Sequence, residues 1–392
     1  MKKSIVLILC AFIFILTATA CSRQSSVTEN KSGTLLENTG VSHDLQSYES
    51  RITAKLSSGV QVDANVIIPA NTDFDSLVTG RACLITQDFN YIKQILIGDK
   101  EITEELSDIN SAGVIPGQYH YCATEDGFIL ATTGENIFFA GDLSNKINLI
   151  FDETENGNSE VFATKKDLDF MPIVDAEQVV QDILQQLNIS VVTEPMCYTF
   201  DFEGLSLEAE KYNLIQKIEW GETSPNIIFE SKDECYLFEY QLLAGTLPVS
   251  THQNGVFGDG SWTPGTSVRC IYSKDGVISL ELGYQFQFIN IIDQEQGLVV
   301  EDVLSLIDAK YHSLILEGDY LINKIEFEYV PFPQNDDEQT YIFIPVWRIS
   351  VLQSYTESDK MDSGHSLQAL RDYTIAFNAI TGNELAIDSG AA

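Results

Sequence analysis

Basic side chains are scarce in this chain: 22 lysines and arginines stand against 58 aspartates and glutamates, a formal net charge of −36 at pH 7. No basic stripe exists to neutralise a phosphate backbone and release its counterions, which excludes nucleic acid as a partner. Histidine is rarer still. None of the five (His43, His120, His252, His312 and His365) opens an HExxH sequence, so zincin chemistry has no ligands. The absence of any Gly-Lys dipeptide excludes a P-loop. No serine sits in a GxSxG elbow, because the nearest approach, Gly364-His365-Ser366-Leu367-Gln368, lacks the second glycine. The cysteines hold no CxxC spacing, and the five beyond residue 21 (Cys83, Cys122, Cys197, Cys235 and Cys270) are too scattered for a disulfide framework. One bridge within Cys197, Cys235 and Cys270, or buried free thiols throughout, both fit the spacing. A membrane-spanning run is missing as well, since the apolar stretch Ile5–Leu16 covers about 18 Å as a helix against a hydrocarbon core of about 30 Å.

What is present at the N-terminus is an address. Lys2 and Lys3, the apolar stretch and Ala18-Thr19-Ala20 form a complete secretory signal, with Cys21 immediately after it. Ala18-Thr19-Ala20-Cys21 resembles a bacterial lipobox with Ala where Leu is commonest. That resemblance implies a thioether-linked diacylglycerol on Cys21, whose two chains suffice for stable anchoring. In an ordinary secreted protein Cys21 would be incidental. The expectation is a lipoprotein signal peptide at residues 1–20, a flexible tether at 21–46 rich in Ser, Thr, Asn and Gly, and a body held by lipid on the extracytoplasmic face of the cell membrane. Removing residues 1–20 takes two lysines and no acid, so the remaining body is more acidic still and is repelled by anionic headgroups.

With 44% hydrophobic and 10% aromatic residues the chain can fill sizeable cores despite its charge. Glu49–Leu56 and Val60–Ile68 alternate apolar and polar residues across Ser57-Ser58-Gly59, a hairpin signal. Further strands are expected at Arg81–Thr86, Gly127–Thr133, Asn136–Ala140 and Lys146–Phe151, with one or two short helices between Tyr91 and Ile109. Residues 47–168 then make a β-rich N-terminal module. Beyond it one pattern occurs twice. Asp175 and Gln178 read as a capping box opening a helix with Val179, Val180, Ile183, Leu184 and Leu187 on one face. A second helix from about Val300 carries Val303, Leu304, Ile307 and Tyr311 in the same arrangement. Each helix precedes strands: Met196–Phe202 and Glu234–Leu243 in the first unit, Ile322–Val330 and Thr340–Leu352 in the second. Each unit closes with a hairpin, Ser267–Leu282 and Asp372–Asp388. The offsets between counterparts differ, which demands an insertion in the first unit around Tyr212–Ser224. The expected fold class is α+β: the strand-rich module followed by two helix-on-antiparallel-sheet units at 169–290 and 291–392.

The second unit contains Ile344-Pro345-Val346-Trp347-Arg348-Ile349 and then Phe377-Asn378-Ala379-Ile380-Thr381-Gly382-Asn383-Glu384-Leu385. It resembles the PepSY-like modules and the related YycH/YycI-type extracytoplasmic regulators of Gram-positive surfaces, which carry a Pro-x-Trp strand and a Thr-Gly-x-hydrophobic hairpin. The chain as a whole looks like an uncharacterised surface lipoprotein family of Firmicutes. The resemblance covers the last 95 or so residues well. The first unit has no Pro-Trp pair in Tyr236–Leu242. What it implies is contact with an envelope protein such as a protease or sensor kinase, with no catalytic residue carried over.

Three local signals bear on chemistry. His120 and Cys122 are thiol and imidazole at strand spacing, which by default makes them neighbours on one face. Gly255–Trp262 reads as a glycine-rich insertion loop or a ligand loop. Asp152–Asn158 places oxygen side chains near EF-hand spacing, but position twelve is Ala163 where a bidentate Glu is needed. The runs Glu101–Glu105 and Asp336-Asp337-Glu338 read as solvated faces. No catalytic, cofactor or metal-binding residue is assigned. The expected function is a non-enzymatic lipoprotein that binds or regulates another envelope protein. A solute-binding lipoprotein, and a hydrolase built on paired carboxylates distant in sequence, are the alternatives. Cys21→Ser should abolish fatty-acid labelling and release the protein from the membrane fraction; a variant still labelled and membrane-bound would remove the anchor from the account.

Overall fold

Val62, Ala64 and Val66 alternate with exposed polar residues along Gln61–Ile67 and all three are buried, so this strand lays one face on a core. The computed structural model describes residues 51–69, 72–107, 119–151, 159–163, 165–192, 194–220, 226–252, 254–256, 262–263, 265–316, 318–334, 337–358 and 366–388. Strands β1 (Arg51–Lys55) and β2 (Gln61–Ile67) form the expected hairpin, with Gly59 at φ 98° in its turn. Strand β3 (Leu77–Leu84), helix α1 (Phe89–Leu96), strands β4 (Ile102–Ser107), β5 (His120–Thr124), β6 (Ile129–Thr132) and β7 (Ile137–Ala140), and helices α2 (Asp142–Ile150) and α3 (Ser159–Phe162) follow. Helix α4 (Ile173–Gln186) leads to β8 (Met196–Phe200), helix α5 (Phe202–Trp220) and β9 (Cys235–Gln241). Next come the short strands β10 (Leu243–Ala244), β11 (Leu247–Pro248), β12 (Asn254–Val256) and β13 (Trp262–Thr263), then β14 (Ser267–Ser273), β15 (Gly276–Leu282) and β16 (Phe286–Glu295). Helix α6 (Val300–His312) precedes the long strands β17 (Asp319–Gln334), β18 (Asp337–Ser358) and β19 (Ser366–Asn378), and the short β20 (Glu384–Leu385) and β21 (Ile387–Asp388).

Two eight-stranded sheets result, so the fold is α+β and strand-rich. The first runs β4-β5-β6-β7-β15-β14-β9-β8. The second runs β1-β2-β17-β18-β19-β20, and β18 shares one edge between two partners: β3 along Thr340–Phe343 and β19 along Val346–Ser358. Strand β16 then pairs with β3. Residues 47–168, expected to hold a sheet of their own, are divided instead, with β1–β3 in the second sheet and β4–β7 in the first. Alternation reveals that a strand has a buried face, but nothing in it names the strand that will sit beside it.

Each sheet carries a helix on one face. Ala176, Val180 and Leu184 of α4 are buried against Tyr236, Phe238, Tyr240, Val268 and Cys270 of the first sheet. Val300, Val303, Ile307 and Tyr311 of α6 are buried against Phe327, Trp347 and Ile349 of the second. Each set recurs every three or four residues, which makes one helical stripe. Behind each helix runs an antiparallel meander, β8-β9-β14-β15 or β17-β18-β19-β20. Cys197 pairs with Phe238 in the first and Phe327 with Trp347 in the second, and the 19-residue α5 lies between β8 and β9 only. This helix occupies the interval in which the insertion was expected, starting at Phe202 rather than at Tyr212. It packs Leu205 and Ala209, with Ile147 and Ile150 of α2, on the face of the first sheet opposite α4.

Local expectations fail where short apolar runs are ambiguous. Lys146–Phe151 is not a strand: Ser144 closes a cap on Gly141 and Ile147 and Ile150 fall three apart on the buried side of α2. Of the one or two short helices expected between Tyr91 and Ile109, one forms as α1, and Ile102–Ser107 is an edge strand, exposed throughout. Asp175 does not cap α4. The helix begins at Ile173 after Pro172, and the Ile173 amide donates to Asp167 at 2.9 Å.

Trp347 is fully buried in the second core, its ring stacked on Phe74 at 5.5 Å and edge-on to Phe327 at 5.3 Å, while its Nε1 donates to the Leu298 carbonyl at 2.9 Å. Trp347→Ala should cost about 3–5 kcal/mol of stability in urea unfolding, and Trp347→Phe less, since the void is smaller.

Candidate functional site

A cleft of about 530 Å³ opens between the second sheet and the β10–β11 hairpin that follows β9. One wall is the β10–β11 turn, where Gly245 takes φ 66°, together with Val191 and Val192, tied to this turn's root by the Val192 amide to the Gln241 carbonyl at 2.9 Å. The opposite wall is Pro69–Val78 leading into β3, with Phe288 and Ile291 of β16. Leu77, Ala244 and Tyr329, all buried, close the floor. Phe288 lies across the bare Cα of Gly80, where a Cβ would collide with the ring. The polar atoms around the cleft are engaged locally: Thr72 Oγ1 donates to the Pro69 carbonyl at 2.7 Å, Asp73 accepts from the Asp75 amide at 3.1 Å and Ser76 accepts from Gln294. What remains for a ligand is mainly apolar surface, the usual character of a recognition pocket.

The second concentration of chemistry lies on the face of the second sheet away from α6. Trp347 faces the helix, so Arg348 faces the other side, where its Nε meets Glu328 Oε1 at 2.7 Å with both residues buried. The chain after β11 crosses beside this strand, held by the Ser250 amide to the Tyr329 carbonyl at 2.8 Å. Farther along, Glu326 meets Lys324 Nζ at 2.8 Å and His252 Nε2 at 3.8 Å. Burial pushes the Glu326 carboxyl up, but the nearby His252 imidazole and the charge and hydrogen bond of Lys324 outweigh it and bring its pKa to about 2. Glu326 and Glu328 share a strand face, yet each is bound to its own cation. The hydrolase pair considered from the sequence needs one carboxyl that keeps its proton near neutral pH, and Glu326 is shifted the opposite way.

Cys21 lies outside the described residues, as do Asp152–Asn158, Gly364, His365 and Asp336. Of the glycine-rich segment, Gly255 pairs with Trp262 between β12 and β13, and residues 257–261 lie outside the described residues. His120 and Cys122 share a face of β5, but the imidazole stacks on Phe89 at 5.1 Å and Nδ1 sits 3.3 Å from Ser107 Oγ, while burial raises the thiol. All five described cysteines are free. Cys197 and Cys270 pair with Phe238 from either side, so they are two strand spacings apart, about 9.6 Å, beyond the ~7 Å limit for a disulfide. Cys235 packs in the core on the opposite face. Burial pushes Cys197 up to about 12 and raises Cys235 and Cys270 too, which keeps them as unreactive thiols. Among the described residues no three His, Cys, Asp or Glu side chains converge as metal ligands, and no helix is long and apolar enough to cross a membrane.

The cleft was invisible in the sequence because its walls come from five separated segments. The ion-paired face left one trace: Lys324-x-Glu326-x-Glu328 puts three charges on one face of an otherwise apolar strand, and Arg348 breaks the apolar run of its neighbour.

Fold and site together define a strand-rich α+β protein with two helix-bearing sheets and an apolar cleft where the β10–β11 hairpin meets the second of them. No protein-family model matches the chain, and no curated protein matches it either. Among solved structures, the crystal structure of an uncharacterized protein from Eubacterium rectale ATCC 33656 at 1.45 Å resolution shares this fold. The TM-score is 0.64 across 86% of this chain and 93% of that one, at 15% sequence identity.

Arg348→Met should cost about 3–5 kcal/mol by stranding a buried carboxylate, and Arg348→Met with Glu328→Leu should recover much of it, as read in a double-mutant cycle of urea unfolding. Because the folded pKa of Glu326 lies near 2 against an ordinary value of 4.5, its stabilisation is complete above about pH 4.5 and is lost as pH falls through 2. Stability of Glu326→Gln followed from pH 6 to pH 2 should therefore fall less steeply than that of the unaltered protein.

Proposed function

We propose that the chain is a membrane-anchored extracytoplasmic lipoprotein, attached through Cys21, that acts without catalysis by binding or regulating another envelope protein. The observation that carries this reading is the cysteine standing directly after a complete secretory signal. The geometry adds support. Glu326, Glu328 and Glu208 are held in ion pairs with Lys324, Arg348 and Lys211, and the thiols of Cys122, Cys197, Cys235 and Cys270 are buried. The body instead offers apolar recognition surface, in the cleft and on the outer side of α5, where Leu214 is 60% and Ile218 76% exposed. The two halves are read as PepSY-like units, because each sets one helix on an antiparallel meander and Trp347 fills the core from the Pro345-x-Trp347 strand. That resemblance favours an envelope protein as partner. Crosslinking in intact cells, with the anchored protein as bait, should return one reproducible envelope protein, and repeated recovery of none would count against a binding role.

A solute-binding lipoprotein is the second reading, favoured by the cleft, whose volume falls in the range of about 300–1,000 Å³ usual for small-molecule sites. A small molecule that raised the melting temperature of the protein, and lost that effect in Ala244→Trp, would give it precedence.

A further inference from the structure

Strand β16 is a ten-residue strand with one partner. It pairs with β3, and among the described residues no strand pairs with its other edge. Ile289, Ile291 and Ile292 are each about half exposed along it (51%, 51% and 47%), an apolar run that a protected edge does not carry. The pairing with β3 shifts register at Ile289 and again at Ile292. The first shift turns Phe288 and Ile291, three apart in sequence, to the same side, and both line the 530 Å³ cleft. The second leaves Ile291 opposite Gly80 and Asp293 opposite the adjacent Thr79, so Asp293 and Glu295 point to the other face of the strand.

On that other face Arg81 of β3 stands two residues from Thr79, the partner of Asp293, yet no described lysine or arginine forms an ion pair with Asp293 or Glu295, and the hydrogen bond and charge of Asp293 raise the Glu295 carboxyl above its ordinary value. Asp73 and Asp75 flank the same end, where Gln294 bonds Ser76 between the strand and the short turn Phe74–Ser76. An added strand would therefore meet an edge without a strand partner among the described residues, along which the Gln294 amide and the Ile291 carbonyl already engage the Asp293 and Asn290 side chains, with an apolar cleft on one side and two carboxylates outside any ion pair on the other.

We propose that the free edge of β16 is a docking site for an extended segment of a partner protein in which apolar and basic residues alternate. The added strand continues the sheet beyond β16, its apolar side chains cover Ile291 and enter the cleft, and its lysines or arginines meet Asp293 and Glu295. This gives the chemistry of the partner in the envelope-protein reading and rests on the binding half of that reading, not on the anchor at Cys21. Charge complementarity chooses this occupant over a second copy of the chain, because β16 carries no lysine or arginine to set against Asp293 and Glu295 of another copy.

Fluorescein-labelled eight-residue peptides of alternating valine and lysine, titrated against the full-length chain in neutral detergent, test the proposal by anisotropy. Binding should weaken with added NaCl, and should fall at least about tenfold when valine-glutamate replaces valine-lysine, or when every second peptide amide is N-methylated so that strand pairing is lost. Ile291→Lys, an exposed position, should lower affinity by a similar factor, and Asp293→Lys with Glu295→Lys should remove the salt dependence while leaving the circular dichroism spectrum unchanged. Equal binding by the N-methylated peptide, or by Ile291→Lys, would mean mere attraction to an acidic surface and would overturn the proposal. So would absence of binding, or a concentration-dependent dimer in sedimentation that Ile291→Lys disperses, which would give the edge to a second copy. An envelope protein that crosslinks to the unaltered chain and equally to Ile291→Lys in cells would refute this edge and leave the lipoprotein reading standing; absence of any crosslinked envelope protein with the unaltered chain would refute that reading instead.

Discussion

Trp347 and Arg348 are neighbours in β18 that point to opposite faces of the second sheet, and both are buried. A strand buried on both faces needs cover on both, and much of the architecture supplies it. Helix α6 and Phe74 close over the indole, with Leu298 accepting its proton. On the other side Glu328 meets the guanidinium, and the chain leaving β11 docks on Tyr329 of the adjoining strand. That docking chain belongs by sequence to the first half. The cover of β17 and β18 is thus one of the things that fixes the two halves together, and a buried ion pair under it is a position where misregister is costly.

The cleft follows from the same arrangement. Once the chain after β9 turns through β10 and β11 to reach β17, and β3 leaves the N-terminal hairpin to reach β18, a gap opens between them. Phe288 takes part of the space only because Gly80 has no Cβ. Strand β16 borders that gap and, among the described residues, pairs with β3 alone, so apolar surface and an unpaired strand edge coincide. Recognition surface here arises from how the β10–β11 hairpin meets the second sheet, not from a motif within either.

Much of the local structure was legible in the chain. The β1–β2 hairpin, both stripe-bearing helices, the two closing hairpins and the need for an inserted element could be read from periodicity and unequal offsets, because each depends on neighbours within about twenty residues. The insertion is α5, apolar on its inner and outer sides alike, which hid its helical period. Misreadings fell on short apolar runs such as Lys146–Phe151, where strand and helix patterns coincide. For the cleft and the buried pair of Glu328 and Arg348 little was legible, since each joins residues whose distance along the chain bears no relation to their distance in space.

The sequence by itself determined the acidity of the chain and the two helix-plus-strand patterns, and it alone carries the expectation of a secretory address ending at Cys21, because composition, hydropathy and local period are properties of residues close together in the chain. Only the tertiary structure decided that β1–β3 and β4–β7 part company into different sheets, that the thiols of Cys197 and Cys270 are held two strands apart, and that β16, among the described residues, has a strand partner on one edge alone beside an apolar cleft. Strand pairing is chosen by which apolar faces can be covered together. That competition among the whole set of strands is not written in any one of them.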